Sequence, residues 1–381
     1  MEPLPPAATP ATANSVGLPL RIIRHGTRWV EEFPASPLRW LLIPAWLPWR
    51  LLIALRGVLY DRGLKPARHL GVPVISIGNL TAGGTGKTPA ALAVVAHLRK
   101  TGWKPAILSR GYRGVNGIND EALLAGDTPV VCDPDRHAGG QRAIEAGADC
   151  VVLDDGFQHR QLHRDIDIVV IDATQPWGNL HGGRGAVLPL GYLREGRSAL
   201  RRAQLLWLTR VDLISEARLL QLRAALAGGA PLIEERSQRI SLRPLTRSDS
   251  EPISAWKGRL VVLVSGIGNP AAFELTARTY GLVPLESHRF PDHHHFTAAE
   301  ADALMAVAKH LQAPLVMTGK DAVKLRAFPA VIGYVLEVES ALVHPAILTA
   351  ALTAALGSKA SAEPSAENTA SRTGNSPPPT A

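Results

Sequence analysis

The sequence predicts an α/β fold, a mainly parallel sheet with helices on both faces, from three observations. Short β-branched runs alternate with helix-length amphipathic stretches from Pro73 onward, the pattern left by strand–helix–strand units. The first of those strands runs straight into a glycine-rich loop and then a helix, the local order of a phosphate-binding loop. The stretch 236–258, rich in Arg, Ser and Pro, interrupts the alternation and reads as a connection between two such units.

In order, strands are expected at 73–78, 105–109, 150–154, 166–172, 204–209, 259–265, 314–318 and 330–337. Helices are expected at 88–100, 136–147, 214–227, 270–281, 297–311 and 340–355. Thr297-x-x-Glu300 opens the fifth of these helices as a capping box. The chain therefore divides into a disordered basic extension (1–38), an interfacial membrane-associated segment (39–70), a P-loop NTPase-like unit (71–240), a smaller α/β subdomain (241–356) and a disordered tail (357–381). The tail earns that description because Gly357–Ala381 contains no Val, Ile, Leu, Met or aromatic residue, so nothing there offsets the entropy of ordering.

A chain of 381 residues, 46% apolar and 19% charged, has ample material for a folded core. Two cysteines, Cys132 and Cys150, exclude a disulfide framework and a four-cysteine metal site. The net charge of +8 points to an anionic partner. Most of it lies between Arg21 and Arg68, where nine basic residues face three acidic ones and four of the eight tryptophans stand at 29, 40, 46 and 49. The uncharged run Trp40–Trp49 is broken by Pro44 and Pro48, and a spanning helix needs about 20 apolar residues. Trp and Arg interleaved with Leu and Ile suit an interfacial segment, with indoles at headgroup level and guanidiniums on phosphates. The expected partner surface is anionic membrane rather than nucleic acid, since the window carries no RNA-binding signature.

Thr81-Ala82-Gly83-Gly84-Thr85-Gly86-Lys87-Thr88 matches G-x-x-x-x-G-K-[ST] except that Thr81 stands at the first position. Backbone amides of Gly83, Gly84 and Gly86 can turn toward a phosphate, Lys87 can reach the β- and γ-phosphates, and the Thr88 hydroxyl can bind Mg²⁺. Pro89 falls where a helix's first turn needs no N–H. The carboxylate that an Mg·ATP site requires is supplied by Asp154 and Asp155 at the end of an apolar strand, with Asp172 at the end of a second strand of the same form. The GTPase base-reading motif survives only as Thr209-Arg210-Val211-Asp212. Ala82 stands where partitioning ATPases carry their signature lysine.

Several stretches, in order along residues 40–355, resemble the tetraacyldisaccharide 4'-kinase family: Ser76–Thr81, Ser109–Tyr112, Asn119–Leu124, Asp154–His159, Leu193–Glu195, Ser265–Pro270, Phe290–His294 and Thr318–Ala322. That resemblance implies ATP- and Mg²⁺-dependent phosphorylation of the 4'-hydroxyl of an acylated glucosamine disaccharide 1-phosphate, at the cytoplasmic face of the inner membrane, with no obligate protein partner. It implies that Glu121 joins Asp154 and Asp155 at the metal, that Asp120 and His293 form the pair activating the sugar hydroxyl, and that Arg194 and Glu195 lie near nucleotide and substrate. A neutral imidazole beside a carboxylate suits that proton transfer. The alternative from the residues alone is a membrane-associated P-loop ATPase switch of the partitioning type.

Overall fold

The computed structural model describes residues 21–25, 41–111, 127–178 and 185–357. One sheet runs through the molecule. Its strands are β1 (Arg21–Arg24), β2 (Val74–Gly78), β3 (Pro105–Ser109), β4 (Val130–Cys132), β5 (Cys150–Asp154), β6 (Ile166–Asp172), β7 (Leu205–Thr209), β8 (Leu232–Pro244), β9 (Glu251–Pro252), β10 (Leu260–Ser265), β11 (Val283–Arg289), β12 (Leu315–Met317) and β13 (Gly333–Leu342). The helices are α1 (Ile43–Asp61), α2 (Lys87–Lys100), α3 (Arg136–Glu145), α4 (Glu216–Leu226), α5 (Pro270–Thr279), α6 (Ala298–His310), α7 (Gly319–Leu325) and α8 (Pro345–Leu356).

The first half is parallel in the order β7–β6–β2–β5–β3–β4. Every residue of β2, β3, β5, β6 and β7 is buried, and that is why these strands read as continuous apolar runs rather than alternating ones. Helix α2 packs Val94 and Leu98 against Ile75, Ile107 and Val152 on one face. On the other, Leu219 and Leu222 of α4 meet Val169, Leu206 and Leu208.

The stretch 236–258 is not the expected connection. Its first part belongs to β8, whose residues 232–234 pair parallel with β7 while the remainder pairs antiparallel with β13. A single bent strand thus carries the sheet from one half into the other, and the boundary expected at 240/241 falls inside it. Helix α8 also crosses that boundary, placing Leu348 and Leu352 in the first-half core. The second half runs β1–β11–β10–β12–β13, with α5 on one face and α6 and α7 on the other.

β4 and β9, of three and two residues, also lie outside the expected strands, and two further unexpected strands have identifiable reasons. β11 reads VPLESHR, whose polar side chains argue against a buried strand, yet they are buried in pairs: Arg289 Nε and Nη2 donate to Glu274 at 2.7 and 2.6 Å. β1 lies within the extension expected to be disordered, and pairs parallel with Glu286–Arg289. The capping box behaves as expected, with Glu300 N donating to Thr297 Oγ1 at 3.2 Å and Thr297 N to Glu300 Oε2 at 2.9 Å.

Helix α1 occupies the segment expected to be interfacial and has no buried residue. It meets the body through Ile53, packed on the core cluster that includes α4, and through polar contacts: Trp46 Nε1 donates to Val187 O, Arg56 to Gln158 O, and Arg160 donates to Gly57 O and pairs with Asp61 at 2.7 Å. Leu47, Leu51 and Leu55, at helical spacing, are 61%, 69% and 55% exposed. Among the described residues no helix is long and apolar enough to cross a membrane.

Candidate active site

The site is built where β2 and β5 end and α2 begins. Gly86 is the residue that precedes α2, at φ 93°, a conformation that costs an L side chain but not glycine. A Cβ there would also meet Thr209 Cγ2 at 3.3 Å. The loop is held from three sides. Asn79 Nδ2 donates to Thr81 O and Thr85 Oγ1 at 2.8 and 3.0 Å, Ala82 N donates to Tyr192 O at 2.7 Å, and Thr209 Oγ1 donates to Thr85 O at 2.9 Å. Arg210 Nη1 adds a bond to Gly84 O. The remnant of the base-reading motif, Thr209-Arg210, therefore braces the loop. Its Asp212 accepts from Tyr280 and Ser237 instead.

Lys87 and Thr88 open the helix against the acids at the end of β5. Thr88 Oγ1 donates to Asp154 Oδ2 at 3.1 Å, and Lys87 Nζ lies 3.7 Å from Asp155 Oδ1. Arg194 reaches the same carboxylate, its Nη1 2.8 and 2.7 Å from the two oxygens of Asp155. Asp155 sits at φ 57°, a region that Asp tolerates better than most residues. Burial opposes its ionisation, but Lys87 and Arg194 outweigh that and hold its carboxyl below the usual range. Burial lowers the Lys87 ammonium against the pull of Asp155.

Other expected residues fall differently. Glu195 turns away from this cluster and pairs with Arg202 at 2.9 Å. Asp172, the second candidate for the metal, is consumed beneath the loop: it pairs with Arg210, accepts from Asn269 Nδ2 at 2.9 Å and takes both bonds from Thr174. Asp120 and Glu121 lie outside the described residues. The three consecutive histidines do not converge. His293 Nε2 lies 3.8 Å from Asp292, His294 bonds Glu300, and His295 is exposed.

His293 belongs to the second half but is brought close to the loop. A Cβ on Gly268 would fall 2.9 Å from Gly84 N and 3.2 Å from Asp292 Oδ2, so the Gly266–Asn269 turn is wedged between the two. That turn is pinned by Asp321, whose Oδ2 accepts from Gly266 N at 2.9 Å, while Gly266 O accepts from His293 N at 3.3 Å. Sequence reasoning gave no role to Asn79, Arg210 or Asn269, nor to Arg136. Arg136 is buried at the start of α3 within the field of Asp154 and Asp155. Arg210 and Asn269 act on Gly84 and Asp172, 126 and 97 positions away, so no local pattern marks them, whereas Asn79 acts within its own loop, on Thr81 and Thr85.

The arrangement can do one kind of chemistry. At the head of α2 an ammonium and a guanidinium meet carboxylates that are oxygen donors for a divalent cation, beside a glycine-rich loop, which is what charge stabilisation of a phosphoryl group requires. Among the described residues no group of three His, Cys, Asp or Glu could bind a metal unaided.

The family model described as tetraacyldisaccharide-1-P 4'-kinase matches residues 38–357. A tetraacyldisaccharide 4'-kinase of Anaeromyxobacter dehalogenans (strain 2CP-C) is 44% identical over 309 residues, 74% of this chain and 80% of the relative. One from Xanthomonas euvesicatoria pv. vesicatoria is 36% identical over 338 residues, 80% of this chain and 89% of the relative. The crystal structure of LpxK from Aquifex aeolicus in complex with ATP superposes with a TM-score of 0.63 at 29% identity, covering 84% of this chain and 99% of that one.

Proposed function

This chain belongs to the tetraacyldisaccharide 4'-kinase family, and from that premise we infer that it transfers the γ-phosphate of ATP to the 4'-hydroxyl of a tetraacylated glucosamine disaccharide 1-phosphate, a step in lipid A biosynthesis. The observation that carries this reading is the convergence of Lys87, Thr88, Asp154, Asp155 and Arg194 at the head of α2.

The loop 81–86 and the first turn of α2 take the phosphates through their amides. Lys87 and Arg194, held facing each other by Asp155, take the charge of the transferring group. The Thr88 hydroxyl and the Asp154 carboxylate are hard oxygen donors of the kind Mg²⁺ accepts, with Glu121 as a further acid. When bound, Mg²⁺ supplies charge neutralisation on the phosphoryl oxygens. His293, with Asp120 as its acidic partner, takes the proton from the 4'-hydroxyl as attack proceeds. The test is transfer of labelled γ-phosphate to a monophosphorylated acylated disaccharide, followed by locating the new phosphate on the sugar. ATP hydrolysis at the same rate with and without that acceptor would sink the reading.

Helix α1 supplies the docking surface, at the cytoplasmic face of the inner membrane. Its outward leucines and its arginines suit an anionic leaflet, and the acyl chains of the acceptor cannot leave the bilayer. Burying an exposed leucine is worth about 1.5–3 kcal/mol. The double variant Leu51→Asp/Leu55→Asp should therefore partition onto phosphatidylglycerol vesicles at least about tenfold less than wild type. Unchanged co-sedimentation removes α1 as the anchor.

A further inference from the structure

We propose that His25 is a positioning residue for His293, acting through a stack of three rings that the N-terminal strand completes. The proposal rests on the reading of His293 as the proton acceptor. Residues 21–25 precede the segment 38–357 that matches the family model, so this feature lies outside what the chain shares with that model.

β1 pairs parallel with β11, Arg24 opposite Arg289, and His25 N donates to Arg289 O at 2.9 Å. That register sets the His25 ring flat on Phe290, with centroids 4.2 Å apart and planes within 5°. His288 lies beside His25, edge to edge, with centroids 5.3 Å apart, and Phe290 in turn stacks on His294 at 4.8 Å. Phe296 closes the edge of both Phe290 and His294. The stack is thus His25, Phe290 and His294, with His288 hydrogen-bonded at the edge of His25.

Hydrogen bonds fix both ends. His288 Nε2 faces Glu286 at 3.2 Å and its Nδ1 faces His25 Nε2 at 3.1 Å. With Glu286 accepting from Nε2–H, His288 Nδ1 accepts from His25 Nε2–H, so the chain of donors is continuous. At the other end His294 Nε2 lies 3.0 Å from Glu300 of the capping box.

His293 stands between two members of this stack, at φ 63°. A non-glycine residue in that region persists only where its surroundings over-determine it. His294 and the capping box restrain the loop from α6, and Asp321 restrains it through Gly266. His25 covers the face of Phe290 opposite His294, so β1 is the third restraint. Taking that ring away opens one face of Phe290 and loosens the pair that flanks His293. Small misplacements of a catalytic group cost rate rather than nucleotide affinity.

The test compares full-length wild type, His25→Ala, His25→Phe and His293→Ala with ATP and the tetraacylated disaccharide 1-phosphate. His25→Ala should lower kcat roughly tenfold while KM for ATP stays within about twofold. His25→Phe restores the flat ring without the bond to His288 and should recover most of the lost rate. Wild-type kcat in His25→Ala, or no recovery in His25→Phe, overturns the proposal while a slow His293→Ala leaves the catalytic reading standing. Wild-type turnover in His293→Ala overturns that reading and the proposal with it.

Discussion

The two loops that meet at the site are stiffened by opposite means. The P-loop is held by polar groups on its main chain: Asn79, Thr209, Arg210 and Tyr192 O each take a backbone or hydroxyl partner. The His293 loop is held by rings and by two carboxylates, Glu300 and Asp321, with a single strained residue at its centre. The difference suits the tasks proposed for them. Gripping an anion needs many amides pointing one way, and the glycines that permit this leave few side chains to pack. Aiming one imidazole needs a side chain in one orientation, and packing delivers that.

Substituting at the two centres should separate the tasks. Lys87→Ala removes the ammonium proposed to take the charge of the transferring group and should lower kcat by about 10³-fold, with weaker ATP binding. Wild-type turnover would mean the loop is not the phosphate site. His293→Ala should lower kcat by about 10²-fold and leave ATP binding, measured by calorimetry, within about twofold of wild type. Equal losses in rate and ATP affinity would erase the contrast, since both loops would then be gripping nucleotide.

The same contrast explains what could be read from the sequence. The P-loop, the acids ending β5 and the Thr297–Glu300 box are local patterns, set by residues within eight positions of one another. The support of those groups is not local. Asp172 has the form of a metal-binding acid at a strand end and is instead locked by Thr174, two residues on, and by Arg210 and Asn269, which adjoin it only once the sheet forms. Glu195 next to Arg194 looks like a second functional charge, yet adjacent residues on this loop point apart, and Arg202 takes it. β8 and β11 were hidden because their charged residues are paired across strands or against α5, which a reading of hydropathy alone counts as loop. β1 has four residues, too few for any period, and its place is fixed by β11 alone.

The smallest effect falls on the P-loop side and depends on pH. His159 follows the β5 acids, beside Gln158, which donates to Asn79 O at 2.9 Å. Burial, and after it the nearby Arg136, Arg164 and Arg56, lowers its pKa to about 4. Above the unfolded value of about 6.5 the ring is neutral in both states and contributes no slope. As pH falls from there toward 4 the unfolded chain takes up a proton that the native site refuses, so stability is lost across that window; below it both states are protonated and the loss stops. Allowing for partial exposure the loss should be about 1–2 kcal/mol. His159→Gln should flatten denaturant-melt stability between pH 6.5 and 4 by that amount. His25 and His288, also lowered by burial, drive a slope of the same sign from the other loop, and that part should remain in the variant. A variant whose slope matches wild type would show that His159 is not refused its proton; a variant with no slope left would show that the ring stack tolerates charge.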